Sequence, residues 1–210
     1  MNTEKNPGIK NIIFDFGGVV MDWNPRYYYK TYFNNDEKME YFLQNIATDE
    51  WNAEQDRGRS LNEGTEILAE KFPDWEREIR AYYDNWTTML RSDIPENVTV
   101  LRKLEPTKYE LFGLTNWSTE TFPYALQHYD FFKIFEGKIV VSGEEKLIKP
   151  NPEIWKILLD RYHIKAKESI FIDDNPKNIE VAKKMGFISI RISENTNLEK
   201  ELQSLGIELD

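Results

Sequence analysis

Six residues of this sequence have the types and spacing to do chemistry together: Asp15, the pair Thr115-Asn116, Lys149 and the pair Asp173-Asp174. Each stands at the end of a short apolar run or in the loop that follows one. Carboxylates from two separate positions can hold Mg²⁺, a hard cation that takes oxygen ligands and keeps several waters. A lysine ammonium and such a metal neutralise phosphate oxygens, and a threonine hydroxyl can hydrogen-bond them. An aspartate held in line with a leaving group can attack phosphorus as a covalent nucleophile. Attack by a carboxylate on an anionic phosphate needs positive charge close by. Taken singly, each residue has a plain structural explanation. An Asp after a strand caps a turn, a Lys-Pro pair belongs to a solvated loop, and Asp173-Asp174 ahead of Pro176 reads as an acidic helix cap. Their recurrence at successive run ends favours one shared site.

The runs themselves are the elements that must position these residues. Asn11–Phe14, Glu110–Leu114, Lys138–Val141, Ser169–Ile172 and Phe187–Ile190 are continuous apolar stretches, the signature of strands buried on both faces of a parallel sheet. Helical periodicity follows two of them, through Ile154, Ile157, Leu158 and Tyr162 after Asn151-Pro152, and through Ile179, Ala182 and Met185 after Asn175-Pro176, with Gly186 as a stop. Strands alternating with helices predict an α/β fold whose ligand site lies beyond the carboxyl ends of the strands. The stretch from about Asp22 to Pro95 breaks this alternation and reads as helices alone. Met39, Phe42, Leu43 and Ile46 form one apolar stripe, and Ser60-Leu61-Asn62-Glu63 matches a capping box. A third helix is expected from Asp74 through Ile79, Tyr82, Tyr83, Trp86 and Leu90. This aromatic-dense segment is expected to pack as a helical cap over the strand ends.

Composition narrows the chemistry further. The 210 residues carry 37 Asp+Glu against 27 Lys+Arg, a net charge of −10 that argues against a duplex-binding protein. The absence of cysteine excludes disulfides, thiolate metal sites and a cysteine nucleophile, and two histidines, His128 and His163, are too few for a multi-histidine zinc site. Both are read as surface or packing residues. No apolar run approaches the roughly 18 residues of a membrane span, and Met1–Lys10 lacks the apolar core of a secretory signal. The expectation is a soluble, cytoplasmic protein, monomer or homodimer, without nucleic-acid or membrane partners.

Four segments then carry a resemblance. Ile13-Phe14-Asp15-Phe16-Gly17-Gly18-Val19-Val20, Leu114-Thr115-Asn116, Ile148-Lys149-Pro150-Asn151-Pro152-Glu153-Ile154 and Phe171-Ile172-Asp173-Asp174-Asn175 resemble the four ordered motifs of the haloacid dehalogenase (HAD) superfamily. The match covers nearly the whole chain and looks most like the small sugar-phosphate phosphatases of that family. It implies a Rossmann-like parallel sheet core, residues 1–21 and 96–210, with an inserted all-helical cap, residues 22–95. It also implies Asp15 as nucleophile, and Asp15, the Gly17 carbonyl and Asp174, assisted by Asp173, as Mg²⁺ ligands. Thr115, Asn116, Gly17 and Gly18 would hold the phosphoryl group, and Lys149 would stabilise the developing charge. The substrate implied is a small phosphorylated metabolite, a sugar phosphate among the candidates. The sequence departs from the pattern at Gly17, where most phosphatases of the superfamily carry a second Asp that protonates the leaving group. Loss of such a group typically costs about 10²–10⁴-fold in rate. Three readings therefore stand side by side: a Mg²⁺-dependent phosphatase, a dehalogenase-like hydrolase in which Asp15 attacks carbon, and a non-catalytic phosphate-binding protein. Asp22 is the nearest downstream acid that could replace the missing group. Glu54–Arg59 reads as a charged turn between cap helices, from which Arg59 could reach a substrate.

Overall fold

The computed structural model describes residues 8–209; residues 1–7, where no secretory signal is expected, and residue 210 lie outside the described residues. Seven strands form among the described residues: β1 (Asn11–Phe14), β2 (Met21–Trp23), β3 (Leu90–Asp93), β4 (Glu110–Thr115), β5 (Ile139–Val141), β6 (Ser169–Asp173) and β7 (Ile188–Arg191). Five of them make a parallel sheet ordered β5-β4-β1-β6-β7, while β2 and β3 pair antiparallel with each other. All five predicted apolar runs are therefore strands of one sheet.

Their lack of polar alternation has a direct cause, because both faces of the sheet are covered. On one face Ile13, Phe112, Leu114 and Phe171 pack with Ile154, Trp155 and Leu158 of α10 (Pro152–Tyr162) and with Ile179 and Ala182 of α11 (Pro176–Lys184). On the other, Ile12, Phe14, Leu111, Ile170 and Ile172 pack with Val98 and Leu101 of α7 (Pro95–Leu104) and with Phe131 and Phe135. Every alternate residue along β1 thus belongs to a different core, as the two-residue period of a strand requires. The helices start and stop where the sequence signals them. The Asn151 and Asn175 side chains accept from the backbone N–H two residues on, each followed by Pro at the first helical position, and Gly186 follows α11 with a φ of +93°.

The register decides where the acids emerge. Ile13 pairs with Phe171 and Phe14 with Ile172, so the next residues on that face, Asp15 and Asp173, come out side by side at the carboxyl edge. On the other flank Phe14 pairs with Gly113, which brings Thr115 to the same edge.

Between β2 and β3 the chain forms six helices: α1 (Arg26–Phe33), α2 (Asp36–Asn45), α3 (Asp49–Asp56), α4 (Leu61–Lys71), α5 (Glu76–Asp84) and α6 (Trp86–Met89). The remaining core helices are α8 (Phe122–His128), α9 (Ser142–Glu145) and α12 (Leu198–Ser204). The inserted helices bury their own cluster, including Tyr29, Met39, Phe42, Ile46, Trp51, Leu68, Ile79 and Tyr82. The expected stripe of Met39, Phe42, Leu43 and Ile46 lies in it, and Ser60 Oγ accepts from the Glu63 N–H at 3.1 Å as the capping signal predicts. Three details differ from expectation. The stretch is not helical throughout, since β2 and β3 form its neck. The third helix begins at Glu76 and stops at Asp84, so that Leu90 belongs to β3 and not to a helix. Residues 54–56 close α3, which leaves only Arg57–Arg59 as the turn. Among the described residues no helix is long and apolar enough to cross a membrane.

Candidate active site

Asp15 follows β1 directly, and its backbone N–H extends the ladder to the Ile172 carbonyl at 2.9 Å. The carboxylate is almost enclosed, and Lys149 Nζ lies 2.9 Å from its Oδ1 and 2.7 Å from Asp173 Oδ2. The same ammonium donates to the Leu114 carbonyl at 2.8 Å, so all three of its donors are used. The ammonium also lies over the Phe171 ring, 5.5 Å from its centroid. Such a fully buried lysine persists as a cation only because two carboxylates face it, and they hold its pKa above the usual lysine value against the opposing effect of burial. The Asn116 side chain places this lysine: its Oδ1 accepts from the Lys149 N–H at 2.8 Å and its Nδ2 donates to the Lys149 carbonyl at 3.0 Å. The Asn116 side-chain amide is therefore spent on the lysine loop.

The two neighbouring acids differ. Asp173 is saturated by Lys149, by the Asn175 N–H at 2.8 Å and by Asn178 Nδ2 at 3.0 Å. Asp174 is exposed on the surface yet sits in a recess, where desolvation and the Asp173 charge push its carboxyl up. Carboxylate oxygens of Asp15, Asp173 and Asp174 lie within 4.8 Å of one another. Three carboxylates against one ammonium leave the cluster short of positive charge. Burial first, with repulsion from Asp173 and Asp174 adding to it, drives the Asp15 carboxyl well above the ordinary range despite Lys149. A donor set of carboxylates and a carbonyl, starved of positive charge, suits a hard divalent cation. The Gly17 carbonyl accepts no hydrogen bond from any described residue and is free to join it. Gly18, at φ +69°, permits the close approach on which this corner depends, since a Cβ there would stand 2.5 Å from Asp174 Oδ2.

Thr115 ends β4 with its hydroxyl buried and without a partner. Leaving a buried polar group unpaired costs about 1–3 kcal/mol, so the hydroxyl is poised for a ligand oxygen. Beside this cluster, between the inserted helices and the sheet, lies a cavity of about 100 Å³. Gly17, Asn116, Trp117, Ser118 and Thr121 line it from the core side, and Trp23, Asn52, Gln55, Asp56, Tyr83 and Trp86 from the inserted segment. Sequence reasoning missed the indoles and Asp56. The charged segment Glu54–Arg59 was the available signal, but it pointed to the arginine. Arg59 instead donates to Gln55 Oε1 at 2.6 Å and to the Trp51 carbonyl at 3.1 Å, which ties it to α3. Asp22 is likewise engaged: the Tyr27 hydroxyl lies 2.8 and 2.9 Å from its two oxygens. His128 stacks on Tyr124 and His163 forms the left-handed cap of α10, both apart from these residues.

The chain matches the model of the haloacid dehalogenase-like hydrolases over residues 12–192. It is 25% identical over 197 residues to a sesquiterpene phosphatase of Aspergillus oryzae, covering 93% of this chain and 96% of that protein. It is 24% identical over 217 residues to a D-ribitol-5-phosphate phosphatase of Bacteroides thetaiotaomicron, covering 92% and 97%. Among solved structures, a HAD family enzyme of Bacteroides thetaiotaomicron in complex with magnesium and inorganic phosphate superposes with a TM-score of 0.69. That match has 24% identity and covers 92% of this chain and 99% of the other. The nearly full-length family match, over the segments that supply Asp15, Thr115, Lys149 and Asp174, carries the conclusion that this chain belongs to the haloacid dehalogenase-like hydrolases.

Proposed function

We propose that the protein is a Mg²⁺-dependent phosphatase of small phosphate monoesters, working through an aspartyl-phosphate on Asp15. The observation that carries this reading is the cluster of Asp15, Asp173 and Asp174 with Lys149 as its one ammonium. The relatives named as phosphatases, and the solved relative holding magnesium and phosphate, support it. Residues 1–21 and 96–210 then form the catalytic core, and residues 22–95 the cap that encloses the leaving group.

In this reading Asp15 Oδ2, which accepts from no described residue, attacks phosphorus while Oδ1 is held by Lys149. The P–O bond to the leaving alcohol breaks as the Asp15–phosphorus bond forms. Thr115 Oγ1 donates to a phosphoryl oxygen, and the Lys149 charge offsets the negative charge gathered at the edge of the sheet. Mg²⁺, held by Asp15, Asp174 and the Gly17 carbonyl, would neutralise the phosphoryl oxygens. Asp173 keeps Lys149 charged and oriented. Water then attacks the aspartyl-phosphate, which releases phosphate and restores Asp15.

Cavity size bears on the substrate. A pocket of about 150 Å³ holds a benzene molecule, so a cavity of about 100 Å³ favours a short carbon skeleton over a terpenyl one. Walls of Trp23, Trp86, Trp117 and Tyr83 suit the carbon face of a small polyol or sugar, while Asn52, Gln55 and Ser118 suit its hydroxyls. The test is phosphate release from a panel of phosphorylated polyols, sugars and terpenyl alcohols, with Mg²⁺ and with EDTA. Turnover of short polyol or sugar phosphates that EDTA abolishes is the expected result. Hydrolysis of 2-haloacids unaffected by EDTA, with no phosphate release, would overturn the reading in favour of attack on carbon.

A further inference from the structure

Resting on the phosphatase reading, we propose that Asp56, on the last turn of α3, is the acid–base residue of this site and does from the cap what Gly17 cannot do from the core. The vacancy at Gly17 is chemical and not steric, since a Cβ built there meets no atom within 4 Å. Nothing blocks an acid at that position; the chain places its acid elsewhere. Among the described residues lining the cavity beside Gly17, Asp56 is the sole carboxylic acid. Asp22, the other candidate, has both oxygens engaged by Tyr27 and does not line the cavity.

Asp56 is held as a working group must be. Its carboxylate accepts from the Ser118 N–H, on the loop that follows Thr115, and from Asn52 Nδ2 at 3.3 Å. The backbone is fixed as well, because Ser142 Oγ donates to the Asp56 carbonyl at 2.5 Å. Gly58, at φ +104°, lets the chain leave α3 against Gly143, where a Cβ would stand 2.9 Å from the Gly143 carbonyl. These contacts run from cap to core, so the carboxyl is positioned relative to the catalytic edge even though it belongs to the cap.

Burial raises the Asp56 carboxyl from 3.8 to about 7, with the Ser118 N–H opposing. A general acid–base works best with a pKa near the operating pH. The titratable groups around it are Tyr82 and Tyr83 of α5, both raised chiefly by burial and so neutral at that pH, together with Arg59 and Glu120. From α9, Glu145 is paired with Arg161 at 2.6 Å, and Glu144 belongs to the same turn. No charged partner contributes to the Asp56 shift, which keeps the group free to exchange a proton.

The cycle balances. Protonated Asp56 gives its proton to the ester oxygen, directly or through one water, as the P–O bond breaks and Asp15 Oδ2 takes the phosphorus. The resulting Asp56 carboxylate takes a proton from the water whose oxygen attacks the aspartyl-phosphate. Inorganic phosphate leaves, and both aspartates return to their starting states.

The test compares the parent, Asp56→Asn and Asp56→Asn/Gly17→Asp with Mg²⁺, on an alkyl phosphate and on p-nitrophenyl phosphate, with acid-quench measurement of phosphoenzyme. A leaving group of low pKa needs no proton. Asp56→Asn should therefore lower kcat for the alkyl ester by about 10²–10⁴-fold, keep the p-nitrophenol burst, and accumulate phosphoenzyme. The limb of the pH–kcat profile near neutrality should vanish, and Gly17→Asp should restore at least tenfold of the lost alkyl turnover. An Asp56→Asn enzyme with parental rates and pH profile would overturn the assignment while leaving the phosphatase reading intact, provided Asp15→Asn is dead. Equal loss of the burst and of alkyl turnover, without rescue, would make Asp56 structural. A parent inert on every ester with Mg²⁺ would remove both readings.

Discussion

Asp15 and Asp173 leave the sheet as neighbours, yet their surroundings assign them different work. Asp173 is fully enclosed and spends its oxygens on Lys149, Asn175 and Asn178, whereas Asp15 keeps Oδ2 without a donor among the described residues. A nucleophile needs the free oxygen and an orienting residue needs the saturated one. Asp15→Asn should leave the circular dichroism spectrum unchanged and reduce phosphate release by at least about 10⁴-fold, as loss of a covalent nucleophile does; hydrolysis at the parental rate would refute the covalent route. Asp174 and Asp173 should separate in the same spirit. Asp174→Ala, at an exposed position, should raise the Mg²⁺ concentration for half-maximal activity at nearly unchanged stability. Asp173→Ala leaves the Asn175 N–H and Asn178 Nδ2 without their acceptor while Lys149 keeps Asp15, and should destabilise the fold by about 1–3 kcal/mol, read from urea unfolding. The opposite pattern would mean that Asp173 is the direct metal ligand.

At the scale of elements, the loop after β1 has to turn within a few residues and still let Asp174 approach. Gly18 makes both possible, with φ +69° and its Cα facing the Asp174 carboxylate. Gly18→Ala should displace Asp174 and raise the Mg²⁺ concentration for half-maximal activity at least tenfold, together with a lower melting temperature; an unchanged Mg²⁺ titration would show that the carboxylate moves aside without consequence. The central strands were readable in the sequence because a strand covered on both faces must be apolar along its whole length, as Ile12, Ile13 and Phe14 are. β2 and β3 were not, since Met21–Trp23 and Leu90–Asp93 are too short for a periodic pattern and gain their pairing from the neck of the inserted helices. The core motifs announced themselves by recurring after strands. Asp56 had no such frame. Its position depends on how α3 lies against the Trp117–Thr121 loop, which local sequence does not encode, and the adjacent arginines drew the reading toward charge recognition.

The whole molecule joins the hydrophobic cluster of the inserted helices to one of the two on the sheet, through a seam that holds the carboxylate cluster, the cavity and Asp56. Ligands at this seam should therefore report in global stability. A cation bound only by the folded chain stabilises by about 2.7 kcal/mol at one hundred times its Kd, which for a chain of this size is roughly 5–10 °C in Tm. Mg²⁺ should raise Tm by that order in the parent and not in Asp174→Ala; a parent whose Tm ignores Mg²⁺ would count against the metal site. Proton linkage gives an independent reading of the seam. The Asp56 carboxyl has a folded pKa of about 7 against 3.8 for a free aspartate. Below about pH 4 it is protonated in both states and carries no penalty. As pH rises from about 4 to 7 the unfolded chain releases this proton while the folded chain still holds it, so folding loses the corresponding stability; above about 7 the loss is complete. At roughly 1.4 kcal/mol per pKa unit the ceiling is about 4 kcal/mol, lowered by whatever water the cavity admits. Asp56→Asn is neutral throughout and escapes the loss. Its Tm advantage over the parent should thus be small near pH 4.5 and grow toward pH 8, so that the residue proposed for proton transfer is also one whose charge the fold resists. A difference that stays constant across that range would place the carboxyl in contact with bulk water and at odds with its proposed role.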